Sequence, residues 1–90
     1  SKEGDEYGQF FFGDCFYRGD GCEKNDKLAF NWFLRAAEQG NSGGQNNVAY
    51  MYRYGEGCDK DKEKAIIWYQ KAARQGSKLS ISGLKEMEIE

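Results

Sequence analysis

Histidine is absent from this 90-residue chain. Cys/His and Ser/His nucleophilic pairs are therefore excluded, and so is any zinc pattern that counts on imidazole. No run approaches 18 consecutive apolar residues, so no membrane-spanning helix is expected. No signal peptide is visible, and the chain starts at Ser1 without a Met, which reads as a processed or excised piece. Neither sign of charge dominates: 13 basic residues face 15 acidic ones, for a net −2. A nucleic-acid footprint would need a basic excess on one face, so nucleic acid is not expected as a partner. Cysteine is scarce and odd in number, with Cys15, Cys22 and Cys58 only. No CxxC is present, so no metal is expected. Small buried hydrophobes are the best reading of the three, with a disulfide or a reactive thiol as alternatives. Reduced cysteines favour the cytoplasm, while the missing Met leaves export open.

The chain is rich in large apolar groups, with two Trp, six Tyr and six Phe. A domain this small buries only about 60–65% of its unfolded surface, so those groups must be well used. They recur with a period of 36. Gly19-Asp20-Gly21-Cys22 returns as Gly55-Glu56-Gly57-Cys58. Ala29, Trp32, Ala36, Ala37, Gln39 and Gly40 return as Ala65, Trp68, Ala72, Ala73, Gln75 and Gly76. Gln9 returns as Gln45, and Lys24 as Lys60. A period in the range of 20–50 residues signals stacked supersecondary units.

Each unit reads as two helices. Ala65, Trp68, Tyr69, Ala72 and Ala73 form one apolar stripe, which Ala29, Trp32, Phe33, Ala36 and Ala37 repeat. Asn25 and Asp61 stand where N-caps belong, and Gly40 and Gly76 where a left-handed C′ residue belongs. The Ala pairs permit close helix approach, and the Trp is expected to fill the space between helices. The first helix of each unit spans Gly8 to Arg18 and Gly44 to Tyr54. Gly8, Phe12, Gly13 and Phe16 match Gly44, Val48, Ala49 and Tyr52 as one stacking face. The Gly-x-Gly triplets then turn the chain. A third copy begins at Ser77 and stops after one helix, with Lys85, Glu86, Glu88 and Glu90 as its polar outer side. Repeat one covers about 5–40, repeat two 41–76 and the partial third 77–90, all in a single domain of 1–90. Five helices and no strands are expected.

The chain resembles the Sel1-like repeat family, relatives of the tetratricopeptide repeats. Val48-Ala49, Tyr52, Gly55-Glu56-Gly57, Asp61, Lys64-Ala65, Trp68-Tyr69, Lys71-Ala72-Ala73 and Gly76 carry the resemblance. It implies an all-α fold: a short right-handed α-solenoid of two helix-turn-helix repeats plus a C-terminal capping helix. Cysteine-rich secreted members pair a first-helix Cys with one that replaces an Ala of the Ala pair. Ala36, Ala37, Ala72 and Ala73 are all Ala here, so that pairing does not carry over. The resemblance also implies a non-enzymatic adaptor that binds a protein or peptide on the concave face lined by the first helices, without cofactor.

Candidate contact residues are the first-helix positions that stacking does not use. One stripe is Phe11, Asp14 and Arg18, whose copies are Asn47, Tyr50 and Tyr54. A second is Phe10 and Tyr17, matched by Asn46 and Arg53. Exposed Tyr and Arg are common binding anchors. The expected protein-binding set is Phe11, Asp14, Arg18, Asn47, Tyr50, Arg53 and Tyr54. Phe10, Phe11 and Tyr17 could equally pack against the N-terminal segment or a preceding repeat. Arg18-Gly19-Asp20 spells an adhesion tripeptide, yet its Gly and acid recur in the second copy, so repeat geometry accounts for it. The Gly-x-Gly loops follow helices and hold an acid, which is wrong for a phosphate cradle. Asp59 and Asp61 suit a solvated loop and helix start better than acid–base chemistry. A small immunity-type inhibitor of a bacterial toxin, or a structural fragment of a longer array, is the alternative function. A monomer is the simplest assembly.

Overall fold

The structure is a computed structural model that describes the backbone of residues 2–89 and the side chains of residues 8–89. Five helices follow one another: α1 (Lys2–Arg18), α2 (Asp26–Glu38), α3 (Ser42–Tyr54), α4 (Lys62–Arg74) and α5 (Lys78–Ile89). Among the described residues there is no strand. Each helix packs chiefly on its neighbours in the chain, which gives a body of 36 × 27 × 17 Å. The all-α solenoid expectation holds. One boundary differs. The first helix, expected to start at Gly8, begins at Lys2.

The helix ends are set by local chemistry. Asn25 and Asp61 take extended backbone and accept from the N–H groups of Leu28 and Lys64 at 3.1 Å each. Asn41 caps α3 in the same way, accepting from Gly44 N–H at 2.7 Å. At the other end, Gly40 donates to Ala37 O and Asn41 to Ala36 O. Gly76 and Ser77 repeat this with Ala73 O and Ala72 O. This is a Schellman turn, and it needs the positive φ of 98° and 91° at the two glycines.

Two glutamine pairs, legible only as sequence identities, prove to be ties between helices. Gln39 Nε2 donates to Gln9 Oε1 at 2.6 Å, and Gln75 Nε2 donates to Gln45 Oε1 at 3.0 Å. Gln45 is buried and donates onward to Ala37 O at 3.2 Å. Each pair joins the end of a unit's second helix to its first helix.

Two cores result. Ala29, Phe30, Phe33, Ala37, Val48 and Met51 form one, and Ala49, Ala65, Tyr69 and Met87 the other. The buried aromatic of each Trp-aromatic pair is Phe33 or Tyr69, not the Trp as the sequence suggested. Trp32 and Trp68 are only half-buried. The reason is backbone proximity. A Cβ on Gly13 would lie 2.7 Å from the Phe33 ring, and a Cβ on Gly83 2.7 Å from the Tyr69 ring. Each ring fills the space that one glycine leaves. The Ala pair does allow close approach: a Cβ on Gly44 would meet Ala37 N at 2.9 Å and Ala36 Cβ at 3.1 Å.

One expected stacking position falls elsewhere. Phe12, the counterpart of buried Val48, is exposed and lies against Trp32 with ring centroids 5.0 Å apart. In α5 the buried side is Ser80, Gly83 and Met87, while Leu84 is half-buried and Lys85 exposed. Among the described residues α5 packs mainly on α4 and only lightly on α3, so the face that α3 turns toward its own second helix has no such partner in α5.

Replacing Phe33 by Ala should cost about 3–5 kcal/mol, the usual range for a buried aromatic. Trp32→Ala should cost clearly less. Urea unfolding followed by circular dichroism checks the order, and a larger loss at Trp32 would contradict the packing described here.

Candidate protein-binding face

Five of the seven expected contact residues fall into two groups. Tyr50, Arg53 and Tyr54 line a groove of about 210 Å³ between α3 and α5. Phe11 and Asp14 line a separate depression of about 330 Å³ with Cys15 and Asp20. The remaining two, Asn47 and Arg18, do not line either space. Asn47 is half-buried on α3.

Tyr50 and Tyr54 sit one turn apart on α3, 41% and 50% exposed, with ring centroids 4.8 Å apart. They form one lip of the groove, and Leu79, exposed on α5, stands on its other side. Arg53 differs from expectation. The sequence suggests an exposed anchor, but only 6% of its surface is accessible. Its guanidinium donates to Glu86 Oε1 at 3.0 Å and lies 5.0 Å over the Tyr54 ring. It also hydrogen-bonds Tyr69, which offsets part of the upward push that burial gives the Tyr69 hydroxyl. A buried guanidinium must be paired, and here helices α3, α4 and α5 all take part. Arg53 is thus the floor of the groove and holds Tyr54 in place.

The α5 contribution was not foreseen, because that helix read as a polar cap. Leu79, Ser82, Gly83 and Glu86 all reach the groove. The available signal was Glu86, an acid placed where it can meet Arg53 of the preceding unit. A second unit-to-unit tie is Asn46, which accepts from Ser80 Oγ at 2.8 Å.

In α1, Arg18 pairs with Asp14 at 2.9 Å on the helix surface, an exposed i,i+4 contact of little energetic weight. Phe11 is 76% exposed. Phe10 and Tyr17 instead join the first core, with ring centroids 5.5 and 6.1 Å from that of Phe33. Tyr17 also donates to Glu56 Oε1 at 2.7 Å. Burial first, and that hydrogen bond second, hold its hydroxyl far above the ordinary tyrosine range. Phe10 and Tyr17 are therefore packed on α2, not on the N-terminal segment or a preceding repeat as the packing alternative had it.

The cysteines also depart from expectation. Cys15 and Cys22 are joined by a disulfide, while Cys58 is a free, half-buried thiol against the first core. Cys22 and Cys58 are repeat counterparts, but the counterpart of Cys15 is Met51, which has no thiol to offer. The pairing runs from α1 to the loop after it. It is not the first-helix to Ala-pair scheme of the cysteine-rich members, and the premise of three reduced cysteines fails.

The sequence profile described as Sel1 repeat matches twice, over residues 6–41 and 42–77. Among solved structures, a Sel1 repeat protein from Oxalobacter formigenes is 34% identical with a TM-score of 0.90, over 91% of this chain and 24% of its own. The protective antigen c5321 of uropathogenic Escherichia coli, described as displaying an SLR fold, is 28% identical with a TM-score of 0.88 over 92% of this chain and 18% of its own. Cysteine rich protein B of Helicobacter pylori is 25% identical with a TM-score of 0.81, over 86% of this chain and 58% of its own. The chain thus spans between about a fifth and three fifths of the length of these neighbours. A search of curated proteins found no match.

The thiol of Cys58 is pushed up from its ordinary value by burial first, then by the carboxylates of Asp59 and Glu56. A raised value keeps the neutral thiol at physiological pH and makes the group favour folding below the unfolded-state value. That contribution fades as pH rises through the folded one. Alkylation of native Cys58 by iodoacetamide should therefore accelerate only at higher pH than for an unstructured cysteine. A rate profile matching the denatured chain would refute this.

Proposed function

The chain belongs to the Sel1 repeat family, and from that premise we propose that it is a non-enzymatic interaction module whose groove between α3 and α5 receives a protein or peptide segment. The observation that carries this is the Tyr50–Tyr54 pair. Two large aromatics stand half-exposed and in contact beside a groove, and neither is needed to fill a core. Aromatic side chains bury much area at low conformational cost, which suits them to anchor a partner. The Arg53–Glu86 pair beneath them keeps the lip from collapsing, so a ligand meets a largely preformed surface. Phe11, Asp14 and Arg18 on α1, with Asn47 on α3, are proposed as an adjoining contact area rather than the centre.

Double replacement of Tyr50 and Tyr54 by Ala should leave the helical spectrum and unfolding midpoint close to wild type. Proteins captured by the immobilised wild-type chain from its native lysate should fall at least about tenfold in the variant, as expected for loss of two aromatic anchors. Equal capture by a folded variant would overturn the assignment of this groove.

A further inference from the structure

The repeat places two versions of the same turn side by side in one molecule, one with a disulfide and one without. In the first unit, Gly19 N–H reaches Cys15 O at 2.7 Å and Asn25 N–H reaches Phe16 O at 2.8 Å. In the second, Gly55 N–H reaches Met51 O at 2.7 Å and Asp61 N–H reaches Tyr52 O at 2.8 Å. Gly19 and Gly21 have φ of 76° and 78°, and Gly55 and Gly57 72° each. The caps that follow agree equally well: Asn25 at φ −153°, ψ 100° and Asp61 at φ −151°, ψ 98°. Glycine conformation, backbone hydrogen bonds and the N-cap thus build this turn without help from sulfur. Cys15 and Cys22, whose Cα atoms are 6.3 Å apart, are brought together by the turn.

We propose that Cys15 and Cys22 form a reversible dithiol–disulfide pair, opened and closed by exchange with small thiols and disulfides of the glutathione class while the fold stays intact. Both states share one backbone, so closing the bond requires no rearrangement of the helices. In the closing direction, one cysteine thiolate attacks a sulfur of the external disulfide. A mixed disulfide forms and one small thiolate leaves. The second cysteine, as thiolate, then attacks the protein sulfur of that mixed disulfide and releases the second small thiolate. The protein gives up two protons and two electrons, and the external disulfide takes up both as two thiols. Both cysteines are only half-buried, and Cys15 lines the depression beside Phe11, Asp14 and Asp20, so a small reagent has access. The loop that carries Asp20 lies between the two sulfurs in the chain. Its tether to α1 is therefore set by the redox state, and with it the surface next to the proposed contact area. The second unit supplies an internal control, because Cys58 occupies the place of Cys22 and has no thiol partner.

The test equilibrates the full chain in mixtures of glutathione and glutathione disulfide, with acid quenching, alkylation and mass spectrometry. The expected result is a reversible gain and loss of two alkyl groups in the segment holding Cys15 and Cys22, with its midpoint inside the range of mixtures. Cys58→Ser should leave that midpoint unchanged, and Cys15→Ser should abolish that gain and loss. Amide spectra of the fully reduced chain should change around the first loop and remain the same in α3, α4 and α5. A pair that stays oxidised at every ratio would be a purely structural disulfide and would overturn the proposal. So would loss of signal dispersion throughout the reduced chain, or pairing of Cys58 in place of either residue.

Discussion

The architecture depends on missing side-chain atoms. Where Gly44 meets the Ala36–Ala37 pair, the two backbones come so close that even a methyl group would be in contact below the normal limit. That approach joins the two units through α2 and α3, and among the described residues no strand takes part. It also directs the aromatics. Phe33 lies toward its own unit's first helix, where Gly13 makes room, and Tyr69 lies toward the next unit's helix, where Gly83 does. Two positions that match in the repeat thus serve different neighbours, and the choice is made by a glycine on the receiving helix.

The same logic explains why the two ends of the molecule differ from its middle. An interior first helix is covered on two sides, by the second helix of the preceding unit and by its own. The middle helix α3 meets both conditions, and its Val48, Ala49 and Met51 are buried. In α1 and α5 one of the two partners is missing among the described residues. Phe11 and Phe12 are consequently exposed on α1, and Leu79, Ile81 and Ile89 on α5. The groove proposed for binding is a product of this asymmetry. It opens between α3 and the lone α5, with small Ser82 and Gly83 on the α5 side.

Much of this was legible from residue order. The helices, the caps at Asn25 and Asp61 and the terminal glycines follow from local rules in which a few neighbouring residues decide the outcome. Tyr50 and Tyr54 were legible as a pair because the repeat itself did not require them. Other features depend on which helix lies across the gap, and periodicity cannot supply that. The helical stripe made Trp32 and Phe33 equivalent, yet only the position of Gly13 decides which is enclosed. Arg53 looked like a surface anchor until Glu86 and Tyr69, one on each of two other helices, were seen to enclose it. Cys15 was hidden for a related reason. Its counterpart is an ordinary buried Met51, so nothing in the repeat marked it as half of a pair.

Tyr52 and Trp68 pack against both cores. In a linear array, stability is a sum of intrinsic unit terms and nearest-neighbour interface terms. A side chain that belongs to two clusters shifts weight from the first kind of term to the second. The phenol of Tyr52 meets the Phe30 ring edge-on at 5.2 Å, across the boundary between units. The loop of the second unit adds to this, since Gly57 sits directly against the backbone of Asp26 at the start of α2. The two units are therefore expected to melt together rather than in turn. Such a pair of repeats is expected to behave as one cooperative element, with fraying starting at α1 and α5, which have fewer helices packed on them among the described residues.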